Sequence, residues 1–233
     1  MLDRKEPGVE AQGDPMATGP MANGNTAVGT RLPSFNIPCP PSDLHHAFNK
    51  NQIASKSWLV DRLFDALGGR FATVYVLGGW YGVLGAMLLD DPRFEIDRVI
   101  SVDIDSKCAP VAERVNAAHA ERGRFRALTA DAATIDYGAA DHGAANGVRV
   151  NGHANLVINT SCEHMADTDA WYGRVPAGTA QVHQSNDYFD CDEHVNCIAD
   201  IEAFKAQLPM GELLYEGTLA RRRYSRFMLI GRK

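Results

Sequence analysis

Short runs rich in β-branched residues alternate with helix-length segments, and this alternation limits the possible folds more than any other feature of the sequence. The predicted strands are residues 73–77, 98–102, 125–129, 154–158, 179–183, 212–219 and 224–231. Long crossovers separate the first five strands, which predicts a parallel sheet. A short Arg-rich turn at residues 221–223 joins the last two, which predicts an antiparallel β-hairpin.

The predicted helices complete the fold class. They are residues 55–67, 83–89, 110–120 and 201–208, the first with Ser55 as its N-cap. Helices on both faces of a mostly parallel sheet define an α/β fold, a Rossmann-like three-layer sandwich. Residues 1–41 are rich in Gly, Pro and Ala and are predicted to form a flexible tail, with residues 42–233 as a single domain that opens with helices.

Charge and composition exclude several classes of protein. The 233 residues include 23 Lys and Arg against 29 Asp and Glu, so nucleic acid is not the expected partner. No apolar stretch is long enough to span a bilayer, and no secretory signal is expected. The five cysteines are odd in number and scattered, which favours reduced thiols and a cytoplasmic location.

Polar features follow three successive predicted strands. The first strand ends in a glycine-rich turn, Gly78-Gly79-Trp80-Tyr81-Gly82, whose backbone amides can approach a ligand closely. The second strand ends at Asp103, where a carboxylate can accept both hydroxyls of a ribose. Asp131 follows the third strand. Together these features predict a nucleoside ligand at the carboxyl end of the sheet.

With these motifs, the sequence resembles the class I S-adenosylmethionine (SAM)-dependent methyltransferases from about Val74 to the C-terminus. The resemblance implies a seven-stranded, mostly parallel sheet with a reversed last strand, and SAM as the cofactor. It also implies that Gly78, Gly79 and Gly82 flank the methionine and ribose of SAM. By the same resemblance, Asp103 holds the ribose and Asp131 holds the adenine amino group.

The glycine turn departs from the usual family pattern at two positions. Val76 stands where the family usually has an acid, and Trp80 stands where the middle glycine is usual. The amino-acid end of SAM is therefore expected to find other contacts, such as Asn49, Gln52 or Lys56. Because Trp80 also interrupts the dinucleotide pattern Gly-x-Gly-x-x-Gly, NAD is the weaker hypothesis.

Two further polar segments follow the fourth and fifth predicted strands. In residues 159–165, Asn159 is a candidate to hold a substrate, and His164, with Glu163 beside it, is a candidate general base. The alternative is that Glu163 and His164 cap the next helix. In residues 184–189, Asn186 and Tyr188 offer hydrogen bonds and an aromatic face for a sulfonium, or they belong to a simple turn.

The last third of the chain also contains residue types that bind metals. They are His164, His183, Glu193, His194, Cys162, Cys191 and Cys197. No Cys-x-x-Cys or His-x-x-x-His pair occurs among them, so the sequence predicts no metal site.

The hypothesis that follows is a SAM-dependent enzyme that transfers a methyl group to a nitrogen or oxygen of a small molecule. Asn159, His164 and Tyr188 are the candidate catalytic residues, and Glu163 and Asn186 are the candidates for substrate binding. One alternative keeps the fold and changes the reaction, to cyclisation or cleavage of SAM with release of methylthioadenosine, as in azetidine-2-carboxylate synthesis. A non-catalytic nucleotide-binding subunit is the alternative from another class.

Overall fold

A computed structural model describes residues 41–138, 141–145, 148–151 and 153–233. The predicted tail, apart from its last residue, lies outside the described residues. Within these ranges, no helix has the length and hydrophobicity needed to cross a membrane.

The strands agree with the predicted pattern and extend it by one hairpin. They are β1 (Arg70–Leu77), β2 (Glu95–Asp103), β3 (Phe125–Thr129), β4 (Asp141–Ala145), β5 (Val148–Asn151), β6 (Leu156–Asn159), β7 (Ala180–Asn186), β8 (Glu212–Ala220) and β9 (Ser225–Arg232). Seven of them form one sheet in the order β3-β2-β1-β6-β7-β9-β8. All neighbours are parallel except β9, which runs antiparallel to both β7 and β8. The predicted fold class is confirmed.

The hairpin β4–β5 forms a separate two-stranded sheet, in a stretch for which no strand was predicted. Gly, Ala and Asn dominate residues 137–152, and these residues are depleted in strands. Composition alone therefore gave no signal for pairing there.

The helices surround the sheet and differ from prediction mainly at their ends. They are α1 (Pro41–Ala47), α2 (Lys50–Leu67), α3 (Val83–Asp90), α4 (Cys108–Val115), α5 (Ala117–Glu121), α6 (Thr168–Tyr172) and α7 (Ile201–Gln207). The prediction of Ser55 as an N-cap is wrong, because the side chain of Asn49 caps α2 by accepting from the amides of Asn51 and Gln52. The predicted helix over residues 110–120 is divided between α4 and α5 at Asn116.

Two apolar layers hold the sheet between the helices. Alternate residues of a strand point to opposite faces. On one face, Val74 and Val76 pack with Leu59 and Leu63 of α2 and with α3 and α4. On the other face, Tyr75 and Leu77 pack with residues of α6 and α7. These layers fix the strands in register, so the loops after β1, β2, β6 and β7 open at one edge of the sheet.

Candidate active site

The turn after β1 adopts a conformation that favours glycine. The φ angle is positive at Gly78 (60°) and at Gly82 (71°), where residues with a side chain are disfavoured. A Cβ atom at Gly78 would lie 2.5 Å from Ser161, and one at Gly79 would collide with Ser101. At Gly82 it would lie 2.6 Å from the side-chain nitrogen of Asn116. The absence of these Cβ atoms lets the turn pack closely on Ser101 of β2, on Ser161 after β6 and on Asn116 between α4 and α5.

Trp80 adopts the left-handed conformation that a glycine would adopt more easily. Its φ is 47°, and no other non-glycine residue in the described ranges has a positive φ. For such a residue this conformation costs roughly 1–2 kcal/mol. Two contacts offset that cost, since the Trp80 amide donates to Asp103 Oδ2 at 2.8 Å and its ring stacks on Tyr81 with centroids 5.0 Å apart.

Asp103 connects this turn to the end of β2. Its Oδ2 accepts from Trp80, and its Oδ1 accepts from the amide of Asp105 at 3.0 Å. An ionised carboxylate has about four acceptor positions, so two bonds leave room for a vicinal diol. The neighbouring Ile104 is 73% exposed, and it offers an apolar surface that a flat base could cover.

Asp131 lies farther along the same edge of the sheet. It is exposed and caps a short 3-10 helix (Ala132–Thr134), with its Oδ1 accepting from the Ala133 amide at 2.9 Å. Because Asp131 is exposed, its carboxylate is accessible to a ligand.

The segment after β6 turns sharply and touches the glycine turn. Asn159 is fully buried, and its side chain accepts from the Ser161 amide at 2.9 Å and donates to Met165 Sδ at 3.2 Å. The Ser161 hydroxyl donates to the Gly78 carbonyl at 3.3 Å. The Asn159 side chain thus stabilises the conformation of this segment by bonding to the Ser161 amide and to the Met165 side chain.

Glu163 forms a buried ion pair with Arg226 of β9. Their shortest distance is 2.8 Å, and the side chains are only 4% and 12% exposed. Glu163 Oε1 also accepts from Asn186 Nδ2 at 2.7 Å, while a second guanidinium nitrogen of Arg226 donates to the Thr160 carbonyl. The alternative that Glu163 and His164 cap the next helix is wrong, because Asp167 caps α6.

Helix α2 brings Lys56 next to this ion pair. The Lys56 ammonium donates to Gln52 one turn earlier on the helix. Its pKa is lowered from 10.5 to about 8, chiefly because burial disfavours the charge and also because Arg226 is nearby, while Glu163 acts in the opposite direction. On the same helix, Ser55 donates to Gln184 of β7 at 3.2 Å. Two cationic side chains therefore converge where α2 covers β7 and β9.

His164 lies on the outer side of the same cluster. Its ring packs edge-on against His194, with centroids 4.7 Å apart, and His194 packs in turn against Tyr188 at 5.8 Å. His164 Nδ1 is 3.0 Å from the Glu193 carbonyl, and His194 Nδ1 is 2.9 Å from the Tyr188 carbonyl. The loops after β6 and β7 thus meet through aromatic rings.

The structure brings most of the predicted site residues into two connected groups. A hydrogen bond connects Asp103 to Trp80 in one group. In the other group Asn186 contacts Glu163, and both His164 and Tyr188 contact His194. Asn159 instead contacts Ser161 and Met165. Sequence reasoning did not assign Ile104 or Arg226 to the site. Ile104 could have been selected from the sequence, because it is an apolar residue between two acids, Asp103 and Asp105.

The comparisons with known proteins find similar solved structures. No protein-family model and no curated protein sequence matches it. The N-methyltransferase NodS from Bradyrhizobium japonicum WM9, crystallised with S-adenosyl-L-homocysteine, is 10% identical, with 84% of this chain and 93% of that chain covered at a TM-score of 0.59. The [4+2]-cyclase SpnF is 12% identical, with 78% and 82% covered at a TM-score of 0.57.

A third similar structure is the geranyl diphosphate C-methyltransferase from Streptomyces coelicolor A3(2), solved with Mg²⁺, geranyl diphosphate and S-adenosyl-L-homocysteine. It is 12% identical, with 76% of this chain and 78% of that chain covered at a TM-score of 0.53. The chain therefore has the class I methyltransferase fold, the fold whose strand order and reversed last strand it displays.

Proposed function

We propose that this protein is a SAM-dependent enzyme that transfers a methyl group to a nitrogen or oxygen of a small molecule. The observation that carries the proposal is Asp103, which lies at the end of β2 and is hydrogen-bonded to the glycine turn of β1. In open α/β sheets, ligands bind outside the carboxyl ends of the strands. Two of the similar structures contain S-adenosyl-L-homocysteine, the product of methyl transfer from SAM.

The residues at the first two strand ends fit the nucleoside part of SAM. Asp103 has acceptor positions available for the ribose hydroxyls. The exposed Ile104 is placed to cover one face of the adenine, and the exposed carboxylate of Asp131 is a candidate acceptor for its amino group. Gly78 and Gly79 allow the turn to pack closely on Ser161 and Ser101, and the backbone of this turn is the candidate surface for the methionine part.

Lys56 is our candidate for binding the amino-acid end of SAM, with help from Gln52 and Arg226. Burial, together with repulsion from Arg226, lowers the pKa of Lys56 to about 8. A carboxylate bound between them would relieve that repulsion and form charge-assisted hydrogen bonds. This arrangement would contact the amino-acid end of SAM from α2 and β9, since Val76 offers no charged group there.

On the acceptor side, the sulfonium of SAM supplies an already activated methyl group, so the protein has to position the acceptor and remove its proton. His164 is the candidate base, because its Nδ1 faces the Glu193 carbonyl and its Nε2 is left to accept a proton. Tyr188 contributes an aromatic wall. The hydrogen bond between Glu163 and Asn186 joins the segment after β6 to the end of β7, and we assign Asn159 a positioning role because it is fully buried.

The first experiment measures SAM binding by calorimetry in Asp103→Ala, with Asp105→Ala as the matched control. Asp105 lies two residues away, and its carboxylate accepts only from the exposed Lys107 amide among the described hydrogen bonds. We expect Asp103→Ala to weaken binding at least tenfold, since a charge-assisted hydrogen bond is worth about 1.5–3 kcal/mol. Equal affinities in the two folded variants would contradict the proposed site.

The second experiment identifies the reaction. The protein is incubated with SAM, alone and with small amine or hydroxyl acceptors, and the products are identified by mass spectrometry. S-adenosylhomocysteine that appears only with an acceptor supports methyl transfer. Methylthioadenosine from SAM alone would instead identify the cyclase or lyase alternative, and tight SAM binding without turnover would favour a non-catalytic subunit.

A further inference from the structure

Three metal-binding side chains meet in the cluster between β6 and β7. A carboxylate oxygen of Glu163 and a ring nitrogen of each of His164 and His194 lie within 4.8 Å of one another. Glu163 and His164 come from the segment after β6, and His194 comes from the segment after β7. Thirty residues of chain separate the two histidines, so no local spacing in the sequence reveals the group.

In both histidines Nδ1 contacts a backbone carbonyl, which leaves Nε2 available to a metal ion. Nδ1 of His164 faces the Glu193 carbonyl, and Nδ1 of His194 faces the Tyr188 carbonyl. A carbonyl only accepts, so each Nδ1 carries the proton of the neutral ring and each Nε2 keeps its lone pair. Metal-bound histidines in proteins almost always donate their other N–H in this way, because the hydrogen bond fixes both tautomer and ring orientation.

Glu163 offers a carboxylate oxygen that the protein itself does not satisfy. Its Oε1 receives hydrogen bonds from Arg226 and Asn186, whereas its Oε2 is buried without a partner among the described residues. A buried and unsatisfied charged oxygen costs free energy. A bound cation would remove that cost, while Arg226 and Asn186 would hold the carboxylate in place as it coordinates.

The charge around the cluster is mixed, and its outer side is acidic. Arg226 and Lys56 lie on the inner side of Glu163. The loop from β7 to His194 carries Asp187, Asp190, Asp192 and Glu193. A divalent cation near the two histidines would therefore be attracted from the solvent side.

We propose that Glu163, His164 and His194 form a binding site for a divalent zinc-type metal ion. Two imidazoles and one carboxylate are a ligand set of catalytic zinc sites, which keep a fourth position open. Imidazole nitrogens also select against Mg²⁺ and Ca²⁺, which prefer oxygen ligands. Ligand distances of about 2.0–2.2 Å require the three atoms to approach somewhat more closely.

The site goes beyond the proposed function, because metal binding does not require SAM. Its open position would lie at the carboxyl ends of β6 and β7, where an acceptor hydroxyl or thiol could bind the metal and acquire a lower pKa. In the metal-bound protein the lone pair of His164 is occupied, so the metal ion takes over the activation of the acceptor that His164 would otherwise perform as a base.

Zinc titration of the full chain, stripped of metal and without a polyhistidine tag, tests the proposal. Affinity is measured by competition with a chromophoric chelator. We expect one Zn²⁺ per chain, and we expect His164→Gln and His194→Gln each to weaken its binding at least tenfold. Mg²⁺ should not compete. His153→Gln is the matched control, since this histidine is also exposed and also faces a carbonyl, that of Gly138, but does not belong to the cluster.

Two further measurements distinguish this site from a thiol site. Cys197→Ser and Cys191→Ser should leave zinc affinity unchanged, and Co²⁺ should bind without the charge-transfer absorption of a thiolate ligand. Glu163→Gln is informative only when circular dichroism shows a folded chain, because its ion pair is buried. Wild-type zinc affinity in both histidine variants, or loss of affinity in a cysteine variant alone, would overturn the proposal. SAM binding to the metal-free protein is measured separately, so that failure of one proposal does not conceal the other.

Discussion

Replacing Lys56 with methionine removes a charge that the fold keeps in an unfavourable place. The ammonium lies beside Arg226 and is largely shielded from water, and both effects favour its neutral form. Methionine keeps most of the length and the apolar contacts of the lysine stem. We therefore expect Lys56→Met to be more stable than the wild type and to bind SAM more weakly, since Lys56 is the proposed partner of the SAM carboxylate.

The magnitude follows from the pKa of Lys56, which is about 8 in the folded protein against an ordinary 10.5. Each unit of pKa corresponds to about 1.4 kcal/mol, so keeping this lysine charged costs on the order of 3 kcal/mol at neutral pH. A depressed pKa in the folded state contributes stability that is present above pH 10.5 and is lost as the pH falls through 8. The advantage of Lys56→Met should thus shrink by about 2 kcal/mol between pH 7.5 and 9.5.

Urea unfolding at pH 7.5 and pH 9.5 measures this difference. Lys50→Met is the matched control, since Lys50 is an exposed residue at the start of the same helix. Other groups also titrate in alkali. Tyr75, for example, has its pKa raised to about 12 by burial and loses stability as the pH rises, but this contribution is common to variant and wild type and cancels. An advantage that is equal at the two pH values, or absent at both, would refute the argument.

Three further predictions test separate parts of the structure. Ile104→Ser should weaken binding of S-adenosylhomocysteine by about 1–2 kcal/mol in calorimetry. It should leave urea unfolding unchanged, because the side chain is 73% exposed without a ligand. Unchanged affinity would exclude Ile104 from the adenine site. Trp80→Gly should be more stable than Trp80→Ala by about 1 kcal/mol, since both variants lose the ring and only alanine keeps the strained left-handed backbone; equal stability would show that the strain is absent. Glu163→Gln and Arg226→Met should each destabilise by about 3–5 kcal/mol, and the double variant by less than their sum; additive losses would mean that the pair is not coupled.

The sheet was predictable because its signal is local and repeated. Each strand is a short β-branched run, and the alternation with helices leaves few topologies to consider. The site residues near the ends of β2, β6 and β7 could also be predicted from a local signal. Polar side chains at the end of a buried strand contribute little to packing, so they indicate a functional site. Asp103, Glu163 and Asn186 all lie at such positions, and the structure gives each of them a polar partner.

What the sequence could not reveal depends on contacts between distant segments. Lys56 and Ser55 occupy ordinary helical positions, and only the placement of α2 against β7 and β9 brings them to Arg226 and Gln184. The misplaced start of α2 has a local reason, because a serine is a good N-cap wherever a helix begins, and Asn49 is an equally good one six residues earlier. The split between α4 and α5 depends on Asn116, whose side chain donates to the Gly82 carbonyl at 3.0 Å.

Arg226 shows how the direction of one strand completes the site. In a parallel strand, the residues that face the crevice lie at the carboxyl end, and the predicted site residues were taken from these ends. Strand β9 is antiparallel, so its first residues reach the same edge, and Arg226 is in register with Asn186 at the last position of β7. From there it pairs with Glu163 after β6 and repels Lys56 on α2. The reversed last strand therefore supplies the cation that connects three segments of the site, and a search for site residues in this fold should include the beginning of that strand.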